Sequence, residues 1–317
     1  MKFLRTNILV ILALLFTFLG VGNADPVGNE LLSSGRVNEA VIALTSHEDA
    51  RSLNLLSRAY FAMQRWDEAV KYGERAVRQE PNNAGYHLWL AREYGRKAGD
   101  SNPFAAAGLA KKAKNEFERA VQLNPSDVQA RVDLAEYYTE APAIMGGGLD
   151  KARAQAAQLD AVDKGMGRLV LARVAVKEKR YADAENQFRD AIREARNPAD
   201  MWLQLAGFYR EQGRLDDMQS AVRSAMALSN KRSESYFDAG RELCLASRDL
   251  PAAMQYLQRY LSSGELVESA PAFRAHYLMG QLQEQMGHGG AAASEYRASL
   301  ALASGFAPAQ KALSRVQ

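Results

Sequence analysis

Three features of this sequence have residue types that could do chemistry. The first is "PAIMGGGLDKAR" (142–153), where Gly146, Gly147 and Gly148 run into a predicted helix carrying Lys151 and Arg153. Glycines opening a helix beside basic side chains are what a phosphate cradle uses. The stretch lacks the Gly-x4-Gly-Lys-Ser/Thr order of a P-loop, and Asp150 in the first helical turn would repel a phosphate, so it reads as a shaped turn. The second is "HEDAR" (47–51), which opens like a zinc motif but has Arg51 where a second histidine is needed. His47, His87, His276 and His288 are scattered, and the only cysteine, Cys244, excludes a cysteine-rich zinc site. Cys244 itself reads as a small buried apolar side chain. With no Gly-x-Ser-x-Gly and no nucleophile–base pair, the expectation is a protein without catalysis, metal or cofactor. The third feature is a set of basic residues, Arg58, Arg92, Arg96, Arg173, Lys177, Arg210 and Arg241. They become a set only once the elements that carry them are aligned.

Those elements are helices. Ala, Leu, Arg, Glu and Gln dominate, all good helix formers, and strand-like alternation of Val, Ile and Thr is almost absent. The fold class is all-α. The stretches "LNLLSRAY" (53–60), "HLWLAREY" (87–94), "RVDLAEYY" (131–138), "WLQLAGFY" (202–209) and "YFDAGREL" (236–243) share one pattern. A bulky residue is followed three places on by Leu or Ala, next by a small residue, and three further on by an aromatic or Leu. Tyr60 to Tyr94, Ala175 to Tyr209 and Tyr209 to Leu243 are each 34 residues apart. A second motif follows nine residues later, at Ala69, Ala184 and Met218, often with an aromatic four places on, as in Ala113…Phe117 and Ala292…Tyr296. Asn-Pro or Glu-Pro then ends the unit.

This pattern resembles the tetratricopeptide repeat: Trp-x2-Leu-Gly-x2-Tyr, then Ala-x3-Phe, then Pro, over about 34 residues. Units fall near 50–83, 84–127, 128–164, 165–198, 199–232, 233–268 and 273–306. A degenerate half-unit precedes them and a cap, 307–317, follows. Gly73 in an aromatic slot and Gln283 in place of Tyr are departures within single units. The resemblance implies antiparallel helix pairs stacked into a right-handed superhelix with a concave inner face. It also implies that the residue after each small slot points into that groove: Arg58, Arg92, Glu136, Arg173, Gly207, Arg241 and Gln281. One turn on come Arg96, Lys177 and Arg210. Arginine forks grip carboxylates, so the groove is a candidate site for a protein or peptide with an acidic segment. The other reading of the same arginines is a solvated face paired with nearby glutamates. Trp89 and Trp202 read as inter-repeat packing.

The N-terminus reads as a separate object. Lys2 and Arg5, an uncharged run from Ile8 to Leu19, and Gly22-Asn23-Ala24 form a secretory signal cleaved after Ala24. The run is short for a membrane span, which needs roughly 20 apolar residues. Removing 1–24 takes the balance from 40 basic against 37 acidic residues to 38 against 37, which points away from nucleic acid. The expectation is therefore an exported scaffold, periplasmic or secreted, with no stable membrane span after cleavage. Its rivals are a carrier for an anionic envelope ligand or polymer, and a structural subunit that self-associates through its end repeats. Finally, Tyr138 to Ala152 is 14 residues and Tyr94 to Ala113 is 19, against the usual nine. Two insertions thus leave one edge in adjacent repeats, and Phe104 with Ile144 or Met145 is expected to form a small cluster between them. With the glycines 146–148, that cluster would make a ridge beside the groove.

Overall fold

A helix pair built on the motif above has one apolar face too many, and stacking is how it is buried. The computed structural model describes residues 24–228 and 231–317. The expected export signal lies, apart from Ala24, outside the described residues. Among them are seventeen α-helices and no strand. A short first pair, α1 (Ala24–Ser33) and α2 (Val37–Leu44), stands where a half-unit was expected. Then come α3 (Ala50–Ala62) with α4 (Trp66–Gln79), α5 (Ala84–Gly99) with α6 (Pro103–Leu123), and α7 (Val128–Glu140) with α8 (Leu149–Leu159). These are followed by α9 (Lys164–Lys177) with α10 (Tyr181–Glu194), α11 (Pro198–Glu211) with α12 (Leu215–Ala227), and α13 (Glu234–Leu245) with α14 (Leu250–Leu261). The last pair is α15 (Ala272–Gln285) with α16 (Gly289–Leu302), closed by α17 (Ala307–Val316).

Local chemistry sets the ends of these helices. Asp49, Asn83, Asp127 and Asp163 each accept a hydrogen bond from a first-turn amide of α3, α5, α7 and α9. The small slots Ala91, Ala135, Ala172 and Ala206 are fully buried, where the paired helices approach most closely. The tyrosines three places on do more than fill space. Tyr138 donates its hydroxyl to Glu118 at 2.7 Å and Tyr209 to Glu185 at 2.8 Å, while Tyr94 donates to Glu74. Each bond joins the first helix of one pair to the second helix of the pair before it.

The two insertions behave differently from each other. Asn102 caps α6 and Pro103 opens it, and α6 runs to 21 residues against 14 for α4 and α10, about two extra turns. The other insertion is a compact turn containing a 3-10 stretch, Ala143–Met145. Gly146 has φ +88°, and a Cβ on Gly147 would fall 1.8 Å from the Ala141 carbonyl oxygen, so the glycines are there for the turn. The amides of Gly146, Gly147 and Gly148 donate to Ala143, Pro142 and Tyr138 of the same chain, which leaves none of them for a phosphate. The turn does lie against α6, with the Lys114 stem over Gly146. The expected apolar cluster is absent, however. Phe104 and Ile144 are each 94% exposed, and only Met145 is half-buried. Phe104 precedes Lys114 by ten residues, about 15 Å along a helix, and so lies beyond the turn's reach.

The ends of the stack meet. One apolar cluster contains Leu31, Leu32, Val37 and Leu44 of the first pair, Leu55 and Met63, and also Phe273, Phe306 and Ala309 from the far end of the chain. Asn38 of α2 donates to the Ala301 carbonyl at 2.9 Å and accepts from the Ser304 amide at 2.9 Å. Arg274 of α15 donates to the Ala62 carbonyl at the end of α3, at 3.1 Å. The solenoid is thus closed on itself along a seam between its first and last pairs.

The seam and a buried acid each lend themselves to measurement. Phe273 is fully buried in the seam, edge-on to Phe306, so Phe273→Ala should cost about 3–5 kcal/mol in denaturant unfolding. Equal stability of the variant and the parent would mean that the seam contributes nothing. The acid is Glu93 of α5, which is fully buried beneath Gly73 of α4, where a Cβ would strike its carboxylate. Neither of its oxygens accepts a hydrogen bond, and the nearby Ser57 hydroxyl donates to the Asn54 carbonyl. Burial pushes the Glu93 pKa well above the carboxylate range, and the charge of Glu74 adds to the rise. Because the folded-state pKa is raised, this group's contribution is intact below about pH 4.3, its unfolded value, and is lost as pH climbs toward the folded value. Glu93→Gln should therefore make the protein more stable than the parent at pH 7, with the gap closing toward pH 4. A gap that does not vary with pH would refute the assignment.

Candidate functional site

The first helices of six consecutive pairs, α3, α5, α7, α9, α11 and α13, present side chains to a continuous groove. One cavity of about 690 Å³ is lined by Phe61 of α3, Trp89, Arg92 and Arg96 of α5, Asp133, Glu136, Tyr137 and Glu140 of α7, and Glu268 from the loop before α15. A second, of about 590 Å³, continues along α9, α11 and α13 with Arg173, Gln204, Gly207, Arg210, Arg241 and Glu242. Arg96, Glu136 and Glu140 line both cavities, so the two form a single groove. Five of the seven basic residues singled out by the motif, Arg92, Arg96, Arg173, Arg210 and Arg241, line these walls. The other two, Arg58 and Lys177, make ion pairs with wall residues.

Sequence reasoning missed the carboxylates. Arg58 makes a two-point pair with Glu268, its Nε 2.9 Å from Oε1. Arg92 donates to Asp133 at 2.6 Å, Arg173 to Glu136 at 2.8 Å, and Lys177 to Glu140 at 2.7 Å. Buried Glu242 is held from both sides, by Arg210 at 2.8 Å and Arg241 at 3.2 Å, and Arg241 also meets Asp238 at 2.7 Å. Burial pushes Asp238 up to about 6 despite the opposing charge of Arg241. Of the seven basic residues only Arg96 makes neither a hydrogen bond nor an ion pair among the described residues. Helix α7 supplies three acids on one face, Asp133, Glu136 and Glu140, spaced three and four apart. That spacing is the signal that could have revealed them. The groove is therefore not a basic strip. Its wall is an alternating ladder of charges, each cation but Arg96 answered by a nearby carboxylate, on a neighbouring helix for most and across the seam for Arg58.

Half-exposed pairs of this kind contribute roughly 0–1 kcal/mol each, so they orient side chains more than they hold the fold. Glu242 is the exception, since a buried carboxylate stripped of a partner costs about 3–5 kcal/mol. Between the charges lies an aromatic bay. Phe61 meets Trp89 edge-on, with ring centroids 5.6 Å apart, and the guanidinium carbons of Arg58 and Arg92 lie 5.1 and 4.8 Å from the Trp89 ring. Trp89 thus packs between repeats as its position suggested, but it also forms groove wall. Trp202 packs against the core. Cys244 is buried, and burial raises its thiol to about 11, so it is inert. Among the described residues, no group of three or more His, Cys, Asp or Glu could hold a metal ion. Nor is any described helix long and apolar enough to cross a membrane.

Comparison with known proteins agrees with the repeat. Two tetratricopeptide-repeat models match, one over residues 50–83 and one over 169–217. No curated protein matches the chain. Among solved structures, a thermophilic TPR protein of Thermus thermophilus is 22% identical, with 59% of this chain and 97% of that one covered and a TM-score of 0.49. A tetratricopeptide repeat protein of Parabacteroides merdae is 14% identical, with 92% and 97% covered and a TM-score of 0.44. YrrB, described as a TPR protein with an unusual peptide-binding site, is 16% identical, with 62% and 96% covered and a TM-score of 0.39. These likenesses are too distant to bear on what the groove holds. The repeated motif, the two matched units and the stacked helix pairs place the chain in the tetratricopeptide-repeat superfamily.

Proposed function

We propose that the protein is an exported, non-enzymatic scaffold that holds a segment of a partner protein in the groove inside its closed solenoid. The observation that carries this reading is the groove itself. It crosses the inner faces of consecutive helix pairs and combines an aromatic bay with prearranged charges. Fixed, already paired charges recognise a segment by pattern and exclude wrong ones more than they add affinity. Export rests on the N-terminal signal reading. The ladder of pairs narrows the expectation of an acidic segment: a run of carboxylates would have to displace Asp133, Glu136, Glu140 and Glu242 from their arginines and lysine. A segment with an apolar anchor for the aromatic bay and mixed charges beside it fits better. Self-association through end repeats is the weaker reading, because those ends are buried against each other.

The bay is the natural place for an energetic hot spot, since half-buried aromatics flanked by arginine are typical of one. Capture of a partner from envelope extract on immobilised protein should drop about thirtyfold for Trp89→Ala, the equivalent of roughly 2 kcal/mol. Phe104→Ser, on the outer edge, should leave the same partner bound. If Trp89→Ala retains its helix signal and captures that partner as well as the parent, the groove is not the binding site.

A further inference from the structure

One hairpin of the solenoid projects beyond its neighbours. Ala113 of α6 takes the slot that Ala69 takes in α4, yet α6 begins ten residues before it and α4 only three. The difference lengthens the N-terminal end of α6 by about 10 Å. Helix α5 runs on with it, five residues past Tyr94, where α3 stops two past Tyr60. A Cβ on Gly99 or Gly108 would meet nothing within 4 Å, so this end of the hairpin stands clear of the rest of the chain. Its composition is also distinct. No side chain from Pro103 to Ala110 is polar, and Phe104 is 94% exposed. Residues 97–114 hold four lysines, Lys97, Lys111, Lys112 and Lys114, against a single acid, Asp100, in a chain that is otherwise evenly balanced. Asp100 is occupied by the Trp66 indole N–H, and Lys97 pairs with Asp67 at 2.7 Å. Lys112 and Lys114 reach Glu74 and Glu118 only at 3.5 and 3.9 Å, and Lys111 has no hydrogen bond or ion pair among the described residues.

A lone exposed phenylalanine is ordinary. Here it crowns a projecting tip with cations set back at a fixed depth. Lys111 follows Phe104 by seven residues, two turns along the same face of α6 and about 10 Å behind it. An interfacial helix buries its apolar groups about 5–10 Å into the boundary between headgroups and acyl chains. We propose that the α5–α6 tip docks on an anionic lipid surface, with Phe104 entering the acyl boundary and Lys111 and Lys112 among the headgroup phosphates. The convex tip, with one large apolar side chain, offers a partner protein far less than the area of a stable interface. Docking is peripheral, since no described helix is long and apolar enough to cross a membrane. It is also independent of the groove, which none of residues 97–114 lines.

The test is flotation of the mature protein with vesicles of phosphatidylglycerol and phosphatidylethanolamine, against vesicles of phosphatidylcholine alone. The protein should float with the anionic vesicles only, and less of it as salt is raised. Phe104→Ser should weaken the association about tenfold, as expected for one phenylalanine withdrawn from an apolar setting. Lys111→Gln should weaken it about fivefold, the worth of one cation near a charged membrane. Both side chains are exposed, so each variant should keep its helix signal. Failure to float with anionic vesicles, or equal flotation of Phe104→Ser and the parent, overturns the proposal. Binding of poly-glutamate without binding of vesicles overturns it too, and assigns the tip to an acidic protein. Capture by the groove is read separately through Trp89→Ala, so either reading can fail without the other.

Discussion

No helix pair in this protein can bury its own apolar face, and that single shortage organises the molecule. Each pair covers its neighbour, with alanine at the closest approach and a tyrosine reaching back to a glutamate of the pair before. In an open stack the first and last pairs would each keep one uncovered face. Here they cover each other: Phe273 and Phe306 sit in the same cluster as Leu32 and Val37. Closure also supplies groove wall, since Glu268 reaches Arg58 only because the ends meet.

The same stacking sets the electrostatics of the inner face. Successive first helices stand side by side, so a cation on one meets an acid on the next. Lys177–Glu140 and Arg173–Glu136 are both separated by 37 residues, about one repeat. The result is a wall of fixed dipoles with little net charge. Such a wall orders its own side chains before a ligand arrives, which reduces the entropy lost on binding. Of the basic residues singled out on that face, Arg96 alone has no such answer among the described residues.

Much of this was legible in the sequence. The 34-residue period, the small slots and the nine-residue step to the second motif give the helix pairs and the inner faces, and the longer steps after Tyr94 and Tyr138 give the two insertions. The glycines 146–148 were readable as a turn because Asp150 argues against a phosphate. The partners of the basic residues were harder to see, because most of the acids sit on another repeat. Asp133, Glu136 and Glu140 show a shared face only when α7 is drawn as a helix and set beside α5 and α9. The seam was not legible at all. Asn38 meets Ala301 and Ser304 because small rotations accumulate along the whole stack, and no local pattern encodes their sum. The expected contact of Phe104 with Ile144 failed for a related reason: two insertions can leave the same edge and still differ in how far each one projects.

Closure of the solenoid is the claim on which the groove and its walls depend, and it can be measured directly. Cys244 is buried and unreactive, so a pair of cysteines introduced at Asn38→Cys and Ser304→Cys has little background. A short bifunctional maleimide added to the native monomer should join the two positions within one chain and give a compact band on a denaturing gel, and denaturant added beforehand should abolish it. Native protein with intact helix signal that gives no intramolecular crosslink, or only crosslinks between two chains, would contradict a closed solenoid.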